Sequence, residues 1–322
     1  MPFISSLNKN IWACYIPPFP DELFTSWFFR IAQEHIVKSH SFGKYYFAKQ
    51  QFWNRDVDNM PTGYLKRIIF ENTPLEFSAI ENLFLTSYES KLFENHNPAG
   101  ITTGILPLGI HHRKRKHNGL LYCPLCLGKK AFFKKQWRLL ISYVCIECGI
   151  FLRDCCYNCQ QPITFHRLEQ GKKQKIEIDS LVHCSFCNND LTKNFEHSTT
   201  EQIKNQIQIY KILDSGYANN IPYSFSYFYL LQILSNLISR NHAIWGRLRK
   251  ACETEFGILP EEKGSFFSWP IEKRRPLFNI SCKLANDYSY FQFIIGKYNL
   301  RLSEFNRDHM LPYSFEKIFK KF

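Results

Sequence analysis

Apolar positions recur at helical spacing through most of the chain. After Pro17-Pro18-Phe19-Pro20, the residues Leu23, Phe24, Trp27, Phe28 and Ile31 share one face of a helix that Asp21 is placed to cap. Phe42–Trp53 predicts a second, aromatic-rich helix, and Pro61 is placed to open a third with Tyr64, Leu65, Ile68 and Ile69 inward. Thr73-Pro74-Leu75-Glu76 reads as a capping box with proline at the first helical position, followed by an apolar face of Leu75, Ile80, Leu83 and Phe84. A further short helix is expected from Thr86 or Ser87 to Phe93. Short helices joined by brief polar turns suit a helix-turn-helix bundle, and equally any small helical domain.

The helical pattern lapses from Ile101 to Leu121 and through a cysteine-rich stretch, then resumes. Ser198 or Thr199 is placed to cap a helix with Ile203, Ile207, Tyr210 and Leu213 on one face. Phe225–Arg240 is apolar on nearly all sides and reads as a buried helix. Ile244–Phe256 is amphipathic and carries Arg247, Arg249 and Lys250; beyond Gly264 the chain is aromatic and basic, with Pro270, Pro276 and Pro312 as breaks. The predicted fold class is mainly α with small β zinc ribbons. It divides into an N-terminal helix-turn-helix-like helical domain (1–118), tandem four-cysteine zinc motifs (119–195) and a C-terminal helical domain (196–322).

Cysteine changes the picture of the middle region. Eight of the twelve cysteines fall in four CxxC pairs: Cys123/Cys126, Cys145/Cys148, Cys156/Cys159 and Cys184/Cys187. Each CxxC turn presents two thiolates on one side of a tight loop, half of a tetrahedral zinc shell. The first two pairs are 18 residues apart, inside zinc-ribbon spacing; the last two are 24 apart, and the excess holds Gly171-Lys172-Lys173-Gln174-Lys175, which reads as a hairpin tip. Two structural Zn2+ ions are therefore expected, with every ligand position filled by sulfur and none open for catalysis. Sequential pairing gives two ribbons in a row and interleaved pairing a cross-brace; the seven residues between Cys148 and Cys156 favour the sequential form. Cys155 reads as a bystander, because Cys156 restores the two-residue gap to Cys159. A thioredoxin-like redox CxxC would sit near a βαβ pattern, and none is visible.

Net charge points to a partner. The formal charge is +13 among 322 residues, a surplus that favours a polyanion, usually nucleic acid. The densest basic run is His111-His112-Arg113-Lys114-Arg115-Lys116-His117, either a solvated loop or a phosphate-binding segment. Arg113, Lys114, Arg115 and Lys116 are the first candidates for phosphate contact. Lys129, Lys130, Lys134, Lys135 and Arg138, which flank the first cysteine motif, come second, and Lys172, Lys173 and Lys175 third. Residues 1–20 lack a basic start followed by an apolar core, and the most apolar stretch, Tyr227–Ile238, is interrupted by Gln232, Ser235 and Asn236. It is also shorter than the ~20 residues a spanning helix needs. The expected location is the cytoplasm, where thiols stay reduced. GxxxxGK[ST], HExxH and the HxE…PCxxC deaminase pattern are missing, so no enzymatic activity is expected.

These motifs together resemble the TniQ/TnsD family of transposon target-selection proteins. Pro17–Ala32, with Asp21-Glu22-Leu23, Ser26-Trp27, Arg30 and Ala32, is similar to the family's proline-rich turn and "DEL-x-SW-x-x-R-x-A" helix. Thr73–Phe93 looks like its helix-turn-helix stretch and Gly104–Leu108 like its apolar linker. Cys123–Leu127, Trp137-Arg138-Leu139 and Cys145–Leu152 look like its first zinc motif; Cys156–Cys159 and Cys184–Cys187 match the second. One departure is Cys148, where the family often has histidine. The resemblance covers about residues 15–195 and implies a non-catalytic adaptor in the bacterial cytoplasm and nucleoid. Such an adaptor marks a target, either DNA or an RNA-guided CRISPR effector complex, and recruits an AAA+ ATPase transposition regulator. A homodimeric state is compatible with it, a membrane partner is not expected, and a zinc-ribbon transcription regulator unrelated to transposition is the alternative.

Overall fold

The computed structural model describes residues 10–48, 52–97, 102–169, 180–218, 221–241, 246–306 and 311–316. Among these, no helix is long and apolar enough to cross a membrane. The chain separates into two compact units. The first holds the described residues of Met1–Ser87 and Ile105–Thr199, so the N-terminal helices and the cysteine-rich stretch share one unit. The second holds those of Tyr88–Asn97, Ile101–Gly104 and Thr200–Phe322.

The first unit is organised around α1 (Phe24–Glu34), which is buried on almost every side. Phe24, Trp27, Phe28 and Ile31 face inward as their spacing requires, and so do Ser26, Phe29 and Gln33 from the other faces. One side meets an aromatic cluster, with Phe24 4.7 Å from Phe84 and Phe28 4.7 Å from Phe52 between ring centres. The other side meets Phe165, 5.6 Å from Phe29, which in turn stacks on Phe133 at 5.0 Å. Ring pairs at these separations add to plain area burial.

Asp21 does not cap α1. The helix starts at Phe24 with Leu23 at the cap position, and Asp21 has a φ of 57°. The cap comes instead from a remote residue: Asp58 accepts from the Thr25 backbone N–H at 2.8 Å and from the Thr25 hydroxyl at 2.7 Å. A carboxylate there satisfies an orphan donor and opposes the positive end of the helix dipole.

The next elements are shorter than the periodicity predicts. The helix expected over Phe42–Trp53 is α2 (Ser39–Tyr46) and a single 3-10 turn, Phe52–Asn54. Helix α3 (Gly63–Asn72) starts two residues after Pro61, with the Thr62 hydroxyl accepting from Leu65 N–H, and only Leu65 and Ile69 of its four predicted core residues are buried. Thr73 ends α3 rather than opening α4 (Phe77–Glu81): its hydroxyl donates to the Ile69 carbonyl and accepts from Leu75 N–H, which leaves it unable to serve as an N-cap. The helix expected up to Phe93 is a 3-10 turn, Leu85–Tyr88.

Among the described residues, the strands of the first unit form two short antiparallel hairpins. Strands β1 (Ile110–His111) and β2 (Lys114–Arg115) pair Ile110 with Arg115 and His111 with Lys114. After helix α5 (Pro124–Lys129), β3 (Val144–Cys145) and β4 (Ile150–Phe151) pair Val144 with Phe151 and Cys145 with Ile150.

The second unit is helical. Helices α6 (Thr200–Ser215), α7 (Ser224–Ser239), α8 (Arg247–Phe256), α9 (Ile271–Asn286), α10 (Tyr288–Lys297), α11 (Leu302–Asn306) and α12 (Tyr313–Glu316) are its described helices. The buried α7 lies against α9, where the Ser235 hydroxyl donates to Ser281 at 2.9 Å inside the core. On α6 the buried positions are Gln206, Ile209, Tyr210, Ile212 and Leu213, so Ile203 and Ile207 are only half-buried. Arg249 of α8 is buried, not part of a solvent face; it donates to the Ile238 and Leu259 carbonyls and pairs with Glu253. Pro276 lies inside α9 and does not break it. A proline in the second turn costs one N–H, the one that would reach the carbonyl four residues back.

Candidate metal centres and nucleic-acid interface

The four CxxC pairs assemble sequentially into two clusters, Cys123/Cys126/Cys145/Cys148 and Cys156/Cys159/Cys184/Cys187. Within each, all four sulfurs lie within 4.8 Å of one another. Cys126 Sγ is 3.5 Å from both Cys145 Sγ and Cys148 Sγ, while Cys156–Cys187 and Cys159–Cys184 are each 3.6 Å. A Zn–S bond of about 2.3 Å gives a tetrahedral edge of about 3.8 Å, so these spacings fit a four-thiolate zinc shell. Cys155 stays outside, its thiol turned to the Gln160 side chain at 3.2 Å, and Cys14, Cys252 and Cys282 belong to neither cluster.

Local backbone chemistry builds the ligand turns. In three of them the N–H of the residue after the second cysteine donates to the carbonyl of the first: Gly149 to Cys145, Gln160 to Cys156, and Asn188 to Cys184, at 2.8–2.9 Å. Closing this loop requires a left-handed residue, and Gly149, Gln160 and Asn188 have φ of 66°, 56° and 57°. The two later turns are flanked by backbone bridges, Cys155–Pro162 and His183–Asp190. The first turn differs. Cys123 caps α5, its sulfur accepting from Cys126 N–H at 3.4 Å, with Pro124 as the first helical residue. A tetrathiolate zinc carries excess negative charge. Beside the first cluster Lys134 pairs with Glu147, whose other oxygen is 3.4 Å from Cys126 Sγ, placing one cation next to the sulfurs.

The proline-turn signature is bound to the first cluster's neighbourhood. Buried Glu22 accepts from Phe19 N–H at 2.9 Å, Arg30 at 2.6 Å and the Ser26 hydroxyl at 3.0 Å. Arg30 covers the Phe19 ring at 3.9 Å, and Trp27 donates to the Ile16 carbonyl. The same stretch is laced to 133–136: Leu23 N–H to Phe133 O, Phe133 N–H to Ser26 Oγ, and Lys135 N–H to Asp21 O, at 2.7–2.9 Å. Burial raises the Glu22 carboxyl to about 7, with Arg30 and its hydrogen bonds pulling the other way.

The TniQ family model matches residues 14–152, from the segment before the proline turn through β4. Over this stretch the chain is similar to the TniQ family. The matched span takes in the signature helix, its staples and the whole first cysteine cluster; the second cluster lies beyond it. A comparison with curated proteins finds no match. A TniQ domain implies a transposition-associated role in target selection.

The predicted phosphate contacts divide by burial. Arg113, Lys114 and Lys116 are exposed, as are Lys129 and Lys130. Arg115, Lys134, Lys135 and Arg138 are buried and commit their charge inside the unit, which corrects their assignment to phosphate. Arg115 donates to the Ile163 carbonyl at 2.6 Å and lies over Phe165, and burial lowers it to about 10. Lys135 donates to the Asn82 carbonyl and the Ser87 hydroxyl. Arg138, fully buried, grips Asp56 with both nitrogens at 3.1 and 2.6 Å, donates to Leu106 O, and lies 3.8 Å from Asp58. Lys172, Lys173, Lys175 and the hairpin tip they were expected to form lie outside the described residues.

A cleft of about 550 Å3 lies beside the β1–β2 turn, lined by Arg113, Lys114 and His112 together with Lys38, His40, Trp53, Asn54, His166, Arg167 and Glu169. Sequence reasoning missed the last seven, because they are scattered over 38–54 and 166–169 in no motif. The Asp56–Asp58–Arg138 network was likewise missed; two acids in an aromatic stretch gave no pattern to read.

Proposed function

We propose that this protein is a transposition target-selection adaptor linking a target, either DNA or an RNA-guided effector complex, to an AAA+ regulator. The observation that carries the reading is the TniQ match over residues 14–152, whose signature helix is laced to the segment between the first cluster's two cysteine pairs. In this reading the two clusters hold structural zinc and perform no chemistry. Zinc bound to such thiolates supplies about 10–16 kcal/mol of folding free energy in small peptides.

Docking on a nucleoprotein is favoured over direct reading of a DNA sequence by α3 and α4. The second helix of that pair has five residues, about 7.5 Å of rise, with Glu76 at its N-cap and Phe77 and Glu81 as its end residues, and it carries no cation. A recognition helix inserts its N-terminal side chains into the major groove, where acids are repelled by phosphate. The test is a pull-down of the zinc-loaded chain with the ATPase and effector encoded beside it, alongside a gel-shift salt series on candidate attachment DNA. Capture of both proteins, with DNA binding that is steeply salt-dependent and indifferent to sequence, is expected. A preference of roughly a thousandfold for one DNA site would replace docking with direct reading. Failure to capture the ATPase would remove the adaptor role.

A further inference from the structure

The cleft beside the β1–β2 turn gathers cationic side chains and unpartnered polar atoms. Its turn residues, His112 and Arg113, have φ of 46° and 62°. A two-residue hairpin of this hand normally uses Asn-Gly, and non-glycine residues held there are strained. The strain is held in place from below: Arg115 anchors β2 to the Ile163 carbonyl, and Lys116 N–H bonds Gly109 O at 3.1 Å. Among the described residues no carboxylate pairs with Arg113, Lys114 or Arg167. Glu169, the one acid among the described residues lining the cleft, already accepts from Gln33 at 2.8 Å and from the Ser39 backbone and hydroxyl at 2.7 and 2.9 Å.

Two buried acceptors on the described residues that line the cleft lack partners. His166 Nε2 is 3.2 Å from the Arg113 carbonyl, which can only accept, so Nε2 carries the proton and Nδ1 is a bare acceptor. Burial, then the nearby Arg115, holds His166 well below its ordinary pKa and keeps it neutral. The ring is fixed by stacking on Trp53 at 4.6 Å and 10°. His166 Nδ1 and Asn54 Oδ1 are both buried with no hydrogen bond. Unmet buried acceptors call for a ligand that donates, and the cations call for one that is anionic.

We propose that this cleft binds one unpaired nucleotide of a nucleic-acid strand, its phosphate on Arg113, Lys114 and Arg167, and its hydroxyl or amino groups donating to His166 Nδ1 and Asn54 Oδ1. A duplex keeps its base edges paired and offers such a recess only phosphates, whereas an unpaired nucleotide can enter it. The volume lies in the range of small-ligand pockets. The proposal rests on the adaptor reading only for nucleic acid as the source of the phosphate.

The test is fluorescence anisotropy of the full zinc-loaded chain with fluorescein-labelled 12-nucleotide RNA, the same DNA single strand and its duplex, with AMP as competitor, at 50 and 200 mM KCl. Both single strands should outbind the duplex, and AMP should compete. Arg113→Ala with Arg167→Ala should weaken single-strand binding roughly tenfold or more while leaving melting temperature and zinc content unchanged. Asn54→Leu should narrow the gap between single strand and duplex. Equal binding of duplex and single strand, no competition by AMP, or a double variant that binds like the parent would overturn the proposal. None of these readouts involves the ATPase, so the adaptor role stands or falls separately in the pull-down.

Discussion

Arg138→Met isolates the strongest electrostatic commitment in the first unit. Arg138 is fully buried and makes a two-pronged bond to Asp56, and Asp58, also buried, lies behind it while capping α1. Methionine fills much of the same volume but removes the cation, leaving two close carboxylates in a dry site. Breaking a buried pair from one side costs about 3–5 kcal/mol. In a unit of this size each kcal/mol shifts the melting temperature by roughly 2–4 °C, so a drop of about 6–20 °C is expected. The cost should also depend on pH. Burial, and then neighbouring Asp56, raises the Asp58 carboxyl to about 6. Protonation therefore removes the uncompensated charge as pH falls, and the deficit of the variant should shrink between pH 8 and pH 5. Thermal unfolding by near-ultraviolet circular dichroism, at saturating zinc and at both pH values, measures this. A drop below about 2 °C, or a deficit that widens toward pH 5, would refute the account of Arg138 as the neutraliser of this site.

Elemental analysis should find two zinc ions per chain, and X-ray absorption four sulfurs at about 2.3 Å around each; Cys126→Ser should lose one ion, while Cys14→Ser, outside both clusters, should lose none. Glu22 rises from 4.5 to about 7 in the folded state because it is buried, so the fold binds its proton more tightly; that contribution is full below pH 4.5 and lost as pH passes 7. The parent should therefore lose melting temperature relative to Glu22→Gln between pH 5 and pH 8, and parallel pH profiles would contradict this. Gly119→Ala places a Cβ 2.2 Å from the Pro107 carbonyl oxygen, a backbone atom, and should destabilise by about 1–3 kcal/mol in denaturant titration. Gly63→Ala meets nothing within 4 Å and should instead stabilise by about 0.4–1 kcal/mol.

Local spacing determines the features that were legible in the sequence. The CxxC turns need only four residues each, and their sequential grouping reflects short connections. The inward residues of α1 and the all-round burial of α7 come from helical period and apolar content. Features that could not be read depend on partners distant in the chain. The α1 cap comes from Asp58, thirty-three residues beyond Thr25, so nearby Asp21 misled. Arg115, Lys134, Lys135 and Arg138 look like surface cations by composition, yet each finds a carbonyl, hydroxyl or carboxylate from another segment. Thr73 fits a capping box in sequence, but its hydroxyl is taken by the preceding turn. The cleft combines residues from three separate stretches.

The lacing of Asp21–Ser26 to 133–136 makes the amino-terminal helices and the first cysteine cluster inseparable. A fragment stopped near residue 118 would lose the strand-like seam that seats α1 and the ring of Phe133 beneath it, and the same piece transplanted onto another carrier would arrive unfolded. The span from proline turn to first metal knot therefore works as one block, with Phe165 and Glu169 from beyond β4 packed and bonded onto it.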